Sequence, residues 1–190
     1  MAKLNSKTKK KHYKMIGFGN DSFFASMIKE FAKQNISIVA IFSLMPNLKP
    51  DNSTNLEKVA KKLGSNFFQV KNINSNDVIK KIDKINPDFI FSSWPKIIEE
   101  KIIKIPKFGV LASHPTHLPF NRGRHPIQWQ IVSGLKTSSL SFYMMDAGID
   151  TGDIIMRLPY EIKPSETIEN INIKIANLGV NSAKKLIPLI

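Results

Sequence analysis

Three of the four histidines in the 190-residue chain, His114, His117 and His125, lie in one stretch, VLASHPTHLPFNRGRHPIQW (110–129). Imidazole exchanges its proton near neutral pH and also ligates metals. A second polar stretch, MDAGIDTGDI (145–154), carries Asp146, Asp150 and Asp153. A carboxylate beside an imidazole orients the ring and stabilises its cation, so the two stretches together suggest proton-transfer chemistry. A metal site built from the three histidines with Asp150 or Asp153 is the rival. Its spacing is poor: His114 and His117 are not on a helix, and the chain has neither cysteine nor an HExxH pattern. A calcium loop would need a longer ligand run closed by glutamate. A plain hairpin, with Gly148 and Gly152 at positive φ and an aspartate as turn former, accounts for the glycines but not for all three aspartates. His114 itself follows an apolar run and precedes Pro115, which fixes the backbone and excludes a helix there.

The elements that must position these residues follow from periodicity. YKMIGF (13–18) reads as a buried strand, and Asn20, Asp21 or Ser22 can cap a helix with Phe24, Met27, Ile28 and Phe31 on one face. ISIVAIF (36–42) is a continuous apolar run of strand length, as in a parallel strand covered on both faces. The segment 45–55 reads as a loop, 56–63 as a helix, 66–70 as a strand, 75–85 as a capped helix stopped by Pro87, and 88–93 as a strand. KIIEEKII (96–103) reads as a further helix, FGVLAS (108–113) as a strand and 126–133 as a helix. SLSFYMM (139–145) and GDIIMRLPYEI (152–162) read as two antiparallel strands, and 165–190 is helical by period. Strand and helix alternate, which predicts an α/β fold: an open, mostly parallel sheet flanked by helices, with an antiparallel strand toward the C-terminal end. His114 then falls at the carboxyl end of a strand, where open α/β sheets bind ligands.

Composition bounds the rest. The net charge is +13, and Lys3, Lys7, Lys9, Lys10, Lys11 and Lys14 precede the first apolar segment. A basic tail over 1–12, solvated and disordered, is the expectation; Tyr13 is the one aromatic among the lysines, which argues against a nucleic-acid contact. No apolar run has membrane-spanning length, the N-terminus lacks a secretory core, and cysteine is absent, which fits a cytoplasmic protein.

The combined motifs resemble a family. GVLASHPTHLPFNRGRHPIQW followed by MDAGIDTGDI is similar to the formyltransferases that use 10-formyltetrahydrofolate, a family that includes methionyl-tRNA, glycinamide-ribonucleotide and sugar-nucleotide enzymes. The resemblance runs from Tyr13 to Ile190 and implies a Rossmann-like catalytic domain over 13–190. It implies that His114 and Asp150 are catalytic and that no metal takes part. It also implies that the folate donor lies against Trp94, Pro95 and Ile97, against Thr116, His117, Leu118 and Pro119, and against Met145, Asp146 and Gly148. The family's catalytic trio is Asn, His and Asp, and its asparagine falls on Ala112, which cannot donate to a developing oxyanion. Ser113, Thr116 and Asn121 are the neighbours that could substitute.

RGRHPIQW bears on the acceptor. Arg-Gly-Arg with a following tryptophan is similar to formyltransferases acting on 4-amino sugar nucleotides, so Arg122, Gly123 and Arg124 are expected to bind the acceptor, with guanidinium on phosphate. Trp129 is either acceptor-facing or core. The expected partner is a nucleotide-linked amino sugar. The alternatives are methionyl-tRNA, and a folate or sugar-nucleotide binding module made slow or inactive by Ala112. The methionyl-tRNA branch carries a second, β-rich domain, so a chain of this length is expected to be a catalytic domain alone.

Overall fold

A computed structural model describes residues 12–190; the basic segment expected before Tyr13 lies, apart from His12, outside the described residues. Seven strands form one sheet in the order β3-β2-β1-β4-β5-β6-β7. They are β1 (Tyr13–Phe18), β2 (Ile36–Leu44), β3 (Asn66–Val70), β4 (Phe89–Ser92), β5 (Val110–His114), β6 (Thr137–Met144) and β7 (Ile154–Glu161). β1 to β5 pair in parallel, β6 pairs antiparallel to β5, and β7 antiparallel to β6. β6 is therefore the single reversed strand. The helices are α1 (Ser22–Ala32), α2 (Leu56–Leu63), α3 (Asn76–Ile85), α4 (Glu100–Ile103), α5 (Pro126–Val132) and α6 (Ile168–Leu186). Among the described residues, none of them is long and apolar enough to cross a membrane.

Continuous apolar strands bury both faces of the sheet. Alternate residues divide between two core layers: Met15, Phe89, Phe91 and Leu111 pack with α1, α2, α5 and α6, while Ile16, Phe18, Ile90 and Val110 pack with α3 and α4. Each fully buried large side chain stabilises the fold by roughly 1.5–3 kcal/mol. The order of β1 and β4 reverses the winding, which opens a crevice at their carboxyl ends.

Two elements differ from the periodic reading. Helix 96–103 shrinks to α4 at Glu100–Ile103. Asn74 is the reason: its Nδ2 donates to the Ile97 carbonyl at 3.0 Å and its Oδ1 accepts from Glu99 N at 2.9 Å, satisfying backbone groups that a helix would otherwise satisfy. The last helix starts at Ile168 rather than 165, because Thr167 and Asn170 form a capping box.

Asp21 caps α1, accepting from Phe24 N at 2.8 Å. Burial pushes its carboxyl up from the usual carboxylate range, against the pull of that N–H and of Ser93. A raised folded-state value means that Asp21 adds stability below the ordinary carboxyl range and loses it as pH rises through the raised value. Asp21→Asn keeps a capping oxygen without the charge. Its melting temperature relative to wild type is expected to rise from pH 3.5 to pH 7; a difference that stays flat across thermal melts would contradict this.

Candidate active site

His114 ends β5, and strand alternation puts it on the sheet face of Ala112. Across the antiparallel register, Tyr143 lies opposite Ala112 and Ser141 opposite His114. This is the face that α3 and α4 cover at Val110; Ala112 clusters instead with Leu118 and Tyr143, and Met145 borders both groups. The buried imidazole makes one hydrogen bond and faces one carboxylate. Nε2 donates to the Asn121 carbonyl at 2.9 Å, and so carries a proton, since a carbonyl can only accept. Nδ1 faces Asp150 Oδ2 at 3.6 Å. That gap exceeds a hydrogen bond, and such contacts tighten when substrate binds.

Asp150 arrives by a less direct route than the tip of a neighbouring strand. Because β6 is reversed, its exit lies beside the start of β5: Met145 N donates to the Val110 carbonyl at 2.8 Å. The loop 145–153 must double back across the face to bring Asp150 to His114. The turn glycines do not act through positive φ, contrary to the hairpin reading; Asp150 itself takes the left-handed conformation, φ 52°. Gly148 and Gly152 serve close approach instead. A Cβ at Gly152 would stand 1.7 Å from the Met144 carbonyl oxygen, and one at Gly148 1.9 Å from Thr151 Oγ1. Asp146 shapes the same loop, its Oδ1 accepting from Gly148 N at 3.0 Å and Thr151 Oγ1 at 2.6 Å.

The Asp150 carboxylate has two firm partners. Tyr143 Oη donates to Oδ1 at 2.6 Å, and Gly123 N donates to Oδ2 at 2.9 Å. Arg122 Nε donates to the Asp150 carbonyl at 3.0 Å. The Arg-Gly-Arg loop is thereby tied to the aspartate loop, and Gly123 does so at φ 90°, a conformation that favours glycine. Burial, and then the Asp150 carboxylate beside it, push the Tyr143 phenol up from its ordinary value, so it remains a donor.

The other residues singled out by sequence divide. Leu118 is buried in the cluster with Ala112 and Tyr143, and its N–H meets Ser141 Oγ at 3.3 Å. Thr116 is buried and donates to the Phe120 carbonyl at 2.8 Å, so its hydroxyl is committed within the loop. Ser113 points to the opposite sheet face from Ala112. Of the three neighbours that could replace the asparagine, only Asn121 is left, and its carbonyl already holds His114. His117 is exposed, with Nδ1 at 3.0 Å from Ser139 Oγ. His125 is exposed at the start of α5. Pro119 and Arg124 are exposed. Trp129 is 61% exposed, which removes the core reading; Ile127 and Gln130 are the buried residues of α5.

Trp94, Pro95 and Ile97 form the non-helical loop held by Asn74. Ile97 is 67% exposed, and Pro95 is exposed. Trp94 meets Phe18 edge-on at 6.3 Å, and its Nε1 is a buried donor with no hydrogen-bond partner among the described residues. A buried orphan N–H is costly. Beside a loop with accessible backbone, it is a fitting place for a heterocycle with acceptor atoms. Sequence reasoning missed Tyr143, Gln130 and Tyr160. Gln130 Nε2 and Tyr160 Oη both donate to the Pro115 carbonyl, at 2.8 and 2.9 Å, and so brace the loop behind His114. Of these, only the alternation of Tyr143 with Ser141 along β6 offered a signal.

The sequence pattern of the formyl transferase family matches residues 12–187. The chain belongs to that family. It is 30% identical over 171 residues to a methionyl-tRNA formyltransferase of Rickettsia bellii, covering 87% of this chain and 56% of that one. It is 33% identical over 165 residues to the methionyl-tRNA formyltransferase of Blochmanniella pennsylvanica, covering 85% and 51%. This formyl transferase chain thus spans about half the length of the curated relatives it matches. Among solved structures it resembles glycinamide ribonucleotide transformylase 1 from Geobacillus kaustophilus, with TM-score 0.78, 15% identity and coverage of 93% and 97%. It also resembles phosphoribosylglycinamide formyltransferase from Streptococcus pneumoniae, with TM-score 0.76, 17% identity and the same coverage. Those two likenesses establish the fold.

Proposed function

We propose that this chain transfers a formyl group from 10-formyltetrahydrofolate to a primary amine, with His114 and Asp150 as catalytic residues. The observation that carries the reading is the pairing of buried His114, at the carboxyl end of β5, with the half-buried Asp150 carboxylate 3.6 Å away. The donor presents a formyl carbon on N10; an uncharged amine attacks that carbon and sheds one proton, and the bond to N10 breaks as N10 takes up one proton, so a formamide and tetrahydrofolate leave with no net proton change. Asp150, fixed by Tyr143 and Gly123, is placed to take the proton that the amine sheds, directly or through water. His114 Nδ1, which faces Asp150 Oδ2, would share that proton path. The loop at Trp94, Pro95 and Ile97, the turn at Thr116, His117, Leu118 and Pro119, and the start of the aspartate loop at Met145, Asp146 and Gly148 would hold the folate. Trp94 Nε1 would supply a donor to the pterin.

For the acceptor we propose a nucleotide-linked amino sugar. Arg124 and Trp129 both stand exposed on the segment that follows the Arg122–Asp150 contact, where a guanidinium and an indole suit a phosphate and a base. Methionyl-tRNA is the second reading, favoured by the names of the curated relatives and by the net charge of +13. The test mixes the protein with 10-formyltetrahydrofolate and, separately, an amino sugar nucleotide, glycinamide ribonucleotide and methionyl-tRNA, and follows tetrahydrofolate release. Release with the sugar nucleotide supports the proposal. Release with methionyl-tRNA alone moves the acceptor to the second reading, and no release with any acceptor overturns the activity.

A further inference from the structure

Ala112 and Tyr143 stand directly opposite each other in the antiparallel register of β5 and β6. Opposite residues share a face, with Cβ atoms about 4.5–5.5 Å apart. Both residues are 4% exposed, and with Leu118 they form a small buried cluster of their own. The methyl group at 112 leaves space that the phenol ring uses. From there the ring reaches Asp150, and its hydroxyl donates to Oδ1 at 2.6 Å.

We infer that Ala112 and Tyr143 are one unit, in which the small residue makes room for a tyrosine that positions the Asp150 carboxylate. The inference rests on the reading of Asp150 as catalytic. Two donors from different elements, Tyr143 Oη and Gly123 N, engage the two carboxylate oxygens and stop the group rotating about Cβ–Cγ. That rotation would otherwise be broad, since terminal torsions of this kind have shallow wells. Oδ2 is thereby presented to His114 Nδ1. A phenol has one proton, and here it is committed to Asp150. Tyr143 is therefore a positioning residue and not an oxyanion donor in place of an amide. Alanine at 112 is then not simply a lost group: an asparagine there would put a polar side chain into a buried cluster, against the ring.

The pairing is testable by exchange. Tyr143→Phe keeps the ring and removes the hydroxyl. Its kcat for formyl transfer, with whichever of the three acceptors turns over, is expected to fall about 10- to 100-fold, as for a lost hydrogen bond to a charged group. KM for 10-formyltetrahydrofolate and the melting temperature should stay close to wild type. Ala112→Asn alone should also lose activity. Ala112→Asn combined with Tyr143→Leu nearly conserves the summed side-chain volume, and it should be faster than either Ala112→Asn or Tyr143→Leu alone. A carboxyl 13C resonance of Asp150, assigned by its loss in Asp150→Asn, should move in Tyr143→Phe whether or not an acceptor is known. An unmoved resonance, or a Tyr143→Phe kcat within twofold of wild type while Asp150→Asn is inactive, overturns the inference and leaves the reading of Asp150 intact. A double variant no faster than the single ones overturns the pairing. Full activity in Asp150→Asn overturns the reading beneath both.

Discussion

Asp150→Asn is expected to slow formyl transfer by about 10²- to 10⁴-fold, the range of a lost general acid–base group, while tetrahydrofolate binding stays near wild type. Asparagine is nearly isosteric, so the loop 145–153 should keep its course. Its Oδ1 can still accept from Tyr143 or Gly123, but the amide places N–H donors where a second acceptor stood. One of the two bonds that fix the carboxylate, at 2.6 and 2.9 Å, is then lost. The larger loss is chemical, because an amide cannot take the proton that the attacking amine must shed. A fall in KM-independent kcat with unchanged folate binding, read by steady-state kinetics and tetrahydrofolate titration, is the expected signature. Equal loss of binding and turnover would mean that Asp150 only shapes the pocket.

Gly152→Ala is expected to damage both stability and activity. The added Cβ would stand 1.7 Å from the Met144 carbonyl oxygen, 2.8 Å from its carbon and 3.2 Å from Asp146 N. All three are backbone atoms, and Met144 N is itself bonded to the Asp153 carbonyl at 2.9 Å. Relief requires the base of the aspartate loop to separate, at a cost of about 3 kcal/mol or more. For a chain of this size that is a fall of about 6–12 °C in melting temperature. Activity should fall with it, since Asp150 is two residues away. Gly148→Ala is the control. Its Cβ would meet Thr151 Oγ1 and Cβ, and that side chain can rotate away at the expense of its bond to Asp146. The loss should be about 1 kcal/mol. Equal melting temperatures for the two variants would contradict the close-packed base proposed for this loop.

Periodicity made the sheet legible because its signals are local. Apolar runs such as ISIVAIF can be buried only between two helix layers, and the spacing of Phe24, Met27, Ile28 and Phe31 fits one helix face. The segment after Pro95 was misread because helix propensity competes there with Asn74, a residue 23 positions from Ile97 that takes up its carbonyl. The juxtaposition of His114 and Asp150 was legible because proline and glycine mark their loops. The route to Asp150 was not, since it depends on the reversal of β6, which moves the start of the loop to the far end of β5. Tyr143 escaped for a related reason. In a strand, an aromatic residue between Phe142 and Met144 reads as core; alternation with Ser141 gives its face, but the antiparallel register is needed to set it opposite Ala112, and the tertiary contact to show that it reaches Asp150. Trp129 shows the converse: seven residues of α5 are too few for a period to separate a buried position from an exposed one.

The central claim is that His114, at the carboxyl end of β5, and the Asp150 carboxylate beside it carry out formyl transfer. Its most direct test is a single-turnover experiment with enzyme in excess over formyl-labelled 10-formyltetrahydrofolate and saturating acceptor, comparing wild type with His114→Ala. The predicted result is label transfer slowed by about 10²-fold or more in the variant, with tetrahydrofolate affinity within a few-fold of wild type. Transfer at the wild-type rate in His114→Ala would contradict the account.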